Sequence, residues 1–488
     1  MNKQNKNTVI KRIALSALLI SFLPFFFSCS SAKFDEVSFE KAYQEGNYEL
    51  CIKMLKGKDY GKDNATLKNI DIGVLAHYAK NYKLSSKHFN ESDRLLDSGK
   101  VDGVAQFESF YLNILNSLNY YHQDKLEDAV AELKKADDEK IRAGRQNKKP
   151  LWYIIDESGN VELIREFDED EEPSEKLKDA YSKFGIKPAE INEGIPRKPT
   201  TMDLYRGSAT AYYLGAIMRS ANGDEEGARL DKDYLKVLNP KISIDNVLDP
   251  QAGNANLNIV AFSGKIAQKE EAVFYFPKEK DGEAFFLRGI SIPVNGVPFN
   301  LPPIRFKFAY PKVGENITNI DRIEAVITDT ATGKSETHTF TLLEDFGEEI
   351  KKNTALRARK EYQLIAAKSI LGKLTASISS ATAIFAARKS LEQAGNPIVK
   401  AAAQKALDVA EAALPQALDD IDRSITADIT HAKFLPAKSS VLNITLPPAV
   451  YNIRVRYLRE STPVFEEAFD KVEIKEKGLN LLESKCLE

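Results

Sequence analysis

The chain has 488 residues, with 68 Lys and Arg against 71 Asp and Glu and a formal charge of −3. So even a balance supports neither nucleic acid nor an anionic membrane surface as a partner. The three cysteines, Cys29, Cys51 and Cys486, are too few and too scattered for a disulfide framework or a zinc site, so stability must come from apolar cores. The length predicts about two to four domains.

Lys3, Lys6, Lys11 and Arg12 precede an uncharged run from Ile13 to Ser28. A basic start, a short apolar core and a small residue at its end make an export signal over residues 1–28. The run is shorter than the ~20 residues that span a bilayer, and Pro24 interrupts it as a helix. Ser28-Cys29 at the end of this run resembles the bacterial lipoprotein signal. The resemblance implies that Cys29 becomes the first mature residue and carries acyl chains such as palmitate, through which the chain meets its membrane. Ser30 and Ser31, in place of aspartate, imply passage to the outer membrane, facing the periplasm. Loss of the four leading cations would take the charge from −3 to −7.

After a tether over 29–38, Ala42, Tyr48, Cys51 and Leu55 recur 34 positions later as Ala76, Tyr82, Ser85 and Phe89. A period of 34 belongs to the tetratricopeptide helix pair. A small residue, Cys51 or Ser85, lets paired helices approach. The pattern returns as Tyr120, Leu126, Ala129 and Leu133, displaced by the polar loop around Asp97–Gly103. Repeats are thus predicted over 39–137, with a further pair over 203–239 from Leu214-Gly215 through Asn222-Gly223-Asp224 to Ala228. Stacked pairs bury a continuous core and leave a concave face, for which Tyr43, Tyr78 and Tyr120 are the candidate partner-binding residues.

An insertion over 138–202 separates the repeats. Leu151–Ile155 and Val161–Ile164 flank Asp156-Glu-Ser-Gly-Asn160 and predict a β-hairpin. The acidic run Glu166–Glu172 lacks the alternating ligands and central glycine of a calcium loop and reads as a solvated loop. Trp152 reads as a core plug.

From residue 240 the texture changes to short runs rich in aromatic and β-branched residues: Leu257–Phe262, Ala272–Phe276, Phe285–Ile290, Ile304–Phe308, Ile323–Ile327 and Thr337–Thr341. Asp329-Thr-Ala-Thr-Gly333 predicts a hairpin turn. Strands resume at Val441–Leu446, Tyr451–Tyr457 and Lys471–Ile474. Parts 240–345 and 429–488 are therefore expected to form one β-sandwich-like domain. Between them, 346–428 predicts an inserted helical hairpin. Its first arm has a seam of Leu364, Ala367, Leu371, Leu374, Ile378, Ala381 and Phe385. Val399, Ala403, Ala406, Ala410 and Ala413 lie on the return arm, after Gly395-Asn396-Pro397. Lys368 and Lys373 argue against a membrane span. The expected fold class is α+β: helical repeats, then a β-rich domain carrying a helical hairpin.

The five histidines, His77, His88, His122, His338 and His431, fall in no metal or nucleophile motif, and no phosphate loop or nucleophile elbow occurs. No catalytic residue, cofactor or metal is expected. The order of parts resembles a family of bacterial envelope lipoproteins with tetratricopeptide-like repeats. The likeness rests on Cys29, Asn119-Tyr120-Tyr121 with Asp124 and Glu127-Asp-Ala129, and Tyr213-Leu214-Gly215. Gly264–Glu271, Ala432–Pro436 and Leu446-Pro447-Pro448-Ala-Val-Tyr451 complete it. Ala449 departs from the Pro-Gly usual before that tyrosine. The resemblance implies an envelope protein, in some members associated with activators of cell-wall synthesis, and no catalytic residues. The expectation is a membrane-anchored scaffold or assembly factor binding other envelope proteins through its repeats. The rival is a carrier or receptor for a small apolar or glycan ligand in the β-rich part, lined by Phe274, Tyr275, Phe276, Phe285 and Phe286.

Overall fold

A computed structural model describes residues 34–60, 64–97, 106–135, 153–155, 161–163, 174–187, 191, 196, 207–244, 253–278, 283–294 and 296–487. Cys29, Trp152 and the acidic run Glu166–Glu172 lie outside them. The fold is α+β, with helices mainly in the first half and strands mainly in the second. Two compact units divide between Asp59 and Tyr60.

The first unit is the helix pair α1 (Glu36–Gln44) and α2 (Tyr48–Gly57). Asp35 and Asn47 cap their N-termini, each side-chain oxygen taking an orphan backbone N–H. Phe39, Ala42, Tyr43, Cys51, Ile52 and Leu55 form its buried face.

The second unit opens with α3 (Ala65–Tyr78), α4 (Tyr82–Asp97), α5 (Gln106–Tyr121) and a helix over 126–135 (α6). The hairpin β1 (Tyr153–Ile155) and β2 (Val161–Leu163) pairs antiparallel. Next come α7 (Glu175–Phe184), α8 (Ala209–Ala221) and α9 (Glu225–Leu238).

Four of these helix pairs close with one local geometry. The backbone N–H groups of Asn47, Asn81, Lys125 and Asp224 each reach back five residues, to the carbonyls of Ala42, Ala76, Tyr120 and Arg219. The residue before each is left-handed: Gly46, Lys80, Asp124 and Gly223, with φ of 69°, 57°, 58° and 82°. In the first two pairs the small residue of the second helix bonds a carbonyl twelve residues back. Cys51 Sγ reaches Phe39 O at 3.9 Å, and Ser85 Oγ reaches Gly73 O at 2.7 Å.

The strands are β3 (Ala255–Lys265), β4 (Lys269–Phe276), β5 (Ser291–Val294), β6 (Val297–Asn300), β7 (Phe306–Val313), β8 (Arg322–Asp329), β9 (Ser335–Thr339) and β10 (Thr341–Asp345). After the helices α10 (Phe346–Glu392) and α11 (Pro397–Ser424) come β11 (Pro436–Leu446), β12 (Val450–Arg459), β13 (Thr462–Glu473) and β14 (Asn480–Cys486). One four-stranded sheet has the order β10-β11-β3-β14, another β13-β12-β8-β9. Leu257, Ile259, Ile323, Ile327, Ile453 and Tyr457, drawn from both sheets, share a single core. The first sheet's other face carries helices: Tyr213 of α8 donates to Asn258 Oδ1 on β3 at 2.7 Å, and Tyr78 of α3 to Phe434 O at 3.2 Å. Covered on both faces, β3 is buried along nearly its whole length, so its polar Asn258 finds a partner in Tyr213.

Three expectations change. Phe285–Ile290 forms no strand and contributes only a bridge from Leu287 to Ile304; Phe285 and Phe286 are exposed. Of the long helix's seam, Leu374 and Ala381 are buried and Ala367, Leu371, Ile378 and Phe385 pack on the same core, but Leu364 is 61% exposed, while Tyr362, Ala366 and Ile370 add to the buried face. The 47-residue helix packs on β7 and α7 as well as on α11. On α11 the buried stripe is Ala403, Leu407, Leu414 and Leu418, whereas Val399 is exposed. The stretch Glu361–Glu392 is apolar and long enough to cross a membrane by length and composition, with a mean hydropathy of 1.4. In the fold, its Tyr362, Ala366 and Ile370 belong to a core with Phe306 and Phe308 of β7.

Gly264 ends β3 at φ +66°, and a Cβ there would meet the backbone oxygen of Ile317 at 2.8 Å. Strain and overlap coincide, so Gly264→Ala should cost about 2–4 kcal/mol in urea unfolding.

Candidate functional site

A cavity of about 670 Å³ opens where α3, α4 and α5 meet β14 and the end of β13. Side chains alternate along β14. Leu482 and Cys486 turn to the core between the sheets, so Leu481, Glu483 and Lys485 turn to the helices.

Glu483 is the centre of the floor. Its Oε1 lies 2.7 Å from His77 Nε2 and its Oε2 lies 2.9 Å from His122 Nε2. His77 is fully buried, and a chain of hydrogen bonds fixes its protons. Ser85 spends its hydroxyl proton on Gly73 O, so it accepts from Asn119 Nδ2 at 2.8 Å. Asn119 must then turn Oδ1 to His77 Nδ1, 2.8 Å away, and that nitrogen donates. Both ring nitrogens of His77 are thus engaged, one by Asn119 and the other by an ionised Glu483. Burial by itself would raise the pKa of Glu483. The charge of His77 and the hydrogen bonds from both histidines more than offset it, holding the carboxyl well below its usual range.

Tyr82 stacks on His122 with ring centres 4.5 Å apart. Burial, then the charges of Glu483 and Glu467, push its phenol pKa up, so it stays protonated. Tyr121 accepts from Leu481 N at 3.3 Å and donates to Leu479 O, tying α5 to the edge of β14. Glu467 on β13 accepts from Lys80 Nζ at 3.1 Å, Ser484 Oγ at 3.0 Å and Lys485 N at 3.2 Å. Lys485 Nζ donates to Tyr78 O at 2.5 Å, and burial lowers its pKa.

Two of the left-handed turn residues, Lys80 and Asp124, stand at the rim of this cavity. The other two pairs use glycine at that place. A non-glycine residue there costs about 1 kcal/mol, and such strain gathers at functional sites. Asp124→Gly should therefore raise stability by about 0.5–1 kcal/mol in urea unfolding, with no loss of a side-chain partner among the described residues.

The sequence-derived candidates fall elsewhere. Tyr43 and Tyr78 are 4% and 3% exposed, and Tyr78 spends its hydroxyl on Phe434 O. Both are core residues here and offer a partner no ring face: Tyr43 packs on Tyr48 of its own helix pair, whereas Tyr78 is covered from the strand-rich part by Phe434 and Lys485. Tyr120 is half-buried, accepting from Asn90 Nδ2 at 3.2 Å. Of the aromatic residues considered for a ligand pocket, Tyr275 and Phe286 line a second cavity of about 360 Å³ between β7 and α11, with Arg305 4.2 Å over the Tyr275 ring. Phe274 and Phe276 pack against the core instead. Its buried Lys373 donates to Arg305 O and pairs with Asp422 at 2.7 Å. His431 is buried apart from both cavities, and burial lowers its pKa to about 4.

Sequence reasoning missed Glu483, His77 and His122 as a cluster. One signal was present. In Asn113-Ile-Leu-Asn116-Ser117-Leu-Asn119, three asparagines at helical spacing are all buried, and a polar stripe on a buried face needs partners. Among the described residues, no group of His, Cys, Asp and Glu is placed to hold a metal ion. Comparison with protein families, curated proteins and solved structures finds no match.

Proposed function

We propose that this chain is a lipid-anchored lipoprotein of the cell envelope that acts as a scaffold or assembly factor for other envelope proteins, in connection with cell-wall synthesis, and not as an enzyme. The observation that carries the reading is the turn shared by four helix pairs, with its five-residue backbone bond and left-handed residue. That regularity supports tetratricopeptide-like repeats, which bind partners along a surface built from successive pairs. The two four-stranded sheets sharing one core support the sandwich-like reading of the strand-rich part. Polar groups in the large cavity favour binding over chemistry: both oxygens of Glu483 are engaged by histidines, and Lys485 is spent on a backbone carbonyl. Attachment at Cys29, on the outer membrane and facing the periplasm, would hold the first helix pair within about 35 Å of the membrane, since about ten extended residues separate them.

Affinity capture of the native lipidated protein after mild cross-linking tests the scaffold. The same envelope protein should be enriched repeatedly over a Cys29→Ala control; equal recovery from both would contradict an anchored scaffold. A second reading, a carrier for a small ligand in the strand-rich part, draws on Tyr275, Phe286 and Arg305 around the smaller cavity. It predicts lipid or sugar copurifying with the protein and lost on Phe286→Ala.

A further inference from the structure

We propose that the 670 Å³ cleft at β14 is a binding site for short peptides whose two termini are both free. Its volume falls within the ~300–1,000 Å³ of ordinary small-molecule sites. Its lining carries three lysines, Lys80, Lys475 and Lys485, against three carboxylates, Asp124, Glu467 and Glu483. A ligand of large net charge finds no overall field there, whereas one carrying both signs does.

Pairing inside the cleft sharpens this. Glu483 is used by two histidines, Glu467 by Lys80, Ser484 and the Lys485 backbone, and Lys485 by a carbonyl. The side chains of Asp124 and Lys475 have no partner among the described residues. One unspent acid and one unspent base are the complement of a zwitterion. Asp124 would take the ammonium; Lys475 would take the carboxylate, helped by Lys80, which has donors beyond the one given to Glu467. Tyr82 and His122 line the same cleft, and the Tyr82 hydroxyl and the second ring nitrogen of His122 have no hydrogen-bond partner among the described residues. Both suit a peptide N–H or C=O. Three extended residues span about 10 Å.

The turns supply an independent observation. Lys80 and Asp124 keep left-handed backbone where two equivalent turns use glycine, and both side chains reach this cleft. The site needs neither a lipid anchor nor a protein partner, so it stands or falls apart from the scaffold role.

Isothermal titration of the purified full-length protein with a panel of tripeptides Ala-Xaa-Ala tests it. Each peptide is used unblocked, N-acetylated and C-amidated. At least one unblocked peptide should bind one per chain, and either block should weaken it tenfold or more. Asp124→Asn should erase the preference for a free amine, and Lys475→Gln the preference for a free carboxylate; Lys405→Gln, exposed on α11 and lining neither cavity, should change neither. The proposal is overturned if no unblocked tripeptide binds at millimolar concentration, or if blocked and unblocked peptides bind alike. Both charge variants lie on exposed positions of different elements, so a folding failure in one leaves the other to decide.

Discussion

Glu483→Ala should destabilise the second unit by about 3–5 kcal/mol in urea unfolding, the range for breaking a buried ion pair from one side. His77 is fully buried and engaged at both ring nitrogens. Without the carboxylate the buried Nε2 of His77 loses its partner, and the hydrogen-bond chain through Asn119 and Ser85 loses its end. Taking both partners out together, as His77→Phe with Glu483→Leu, should cost less than Glu483→Ala alone. A double variant as unstable as the sum of its singles would show that the pair is not the coupled unit described. The pH dependence has a definite sign. The folded carboxyl is held below its ordinary value, so its stabilisation is fully present above about pH 4.3 and is lost as the pH falls further.

Glu344→Leu is the second large effect, at about 3–6 kcal/mol. Glu344, on β10, accepts from the Tyr111 hydroxyl of α5, from Ser208 Oγ at 2.5 Å, and from Thr210 N at 2.9 Å and Oγ1 at 2.7 Å at the start of α8. An apolar side chain leaves several buried donors unsatisfied, each worth about 1–3 kcal/mol. Its pH behaviour is opposite to that of Glu483. Burial raises the pKa of Glu344, and the hydrogen bonds lower it only in part. Its contribution is therefore present below the ordinary carboxyl value and fades as pH rises through the folded one. The stability gap between wild type and Glu344→Gln, measured at pH 5 and pH 8, should narrow at the higher pH. A gap that widens would contradict the raised value.

These two carboxylates also mark how far the sequence could be read. Helix pairs were legible because their turns repeat: Gly46-Asn47 and Asn222-Gly223-Asp224 carry the left-handed residue and the cap in three letters. β3 was legible because its buried length carries the apolar run Ile259–Phe262. β14 was not. The sequence predicts no strand beyond Ile474, yet Glu483 and Lys485 find their partners in His77 and Tyr78, about 400 positions earlier. Nothing local announces a pairing at that separation. Glu344 hides in the same way, between helix starts that are adjacent only after folding. The seam of α10 was legible except at Leu364. A heptad template assumes one neighbour along the helix, whereas α10 packs on β7 and α7 as well as on α11. Tyr43 and Tyr78 failed as surface residues for two reasons: Tyr43 packs within its own helix pair, and Tyr78 is covered by Phe434 and Lys485, more than 350 positions later in the chain.

The proposed place of the chain in the cell rests on Cys29. Intact-mass spectrometry of the protein extracted from its native membrane, with Cys29→Ala alongside, tests it directly. The predicted mature chain lacks residues 1–28 and carries acyl mass on Cys29, and the variant carries none. A chain that retains Met1, or one that begins at Cys29 with an unmodified thiol, would contradict the anchored protein proposed here.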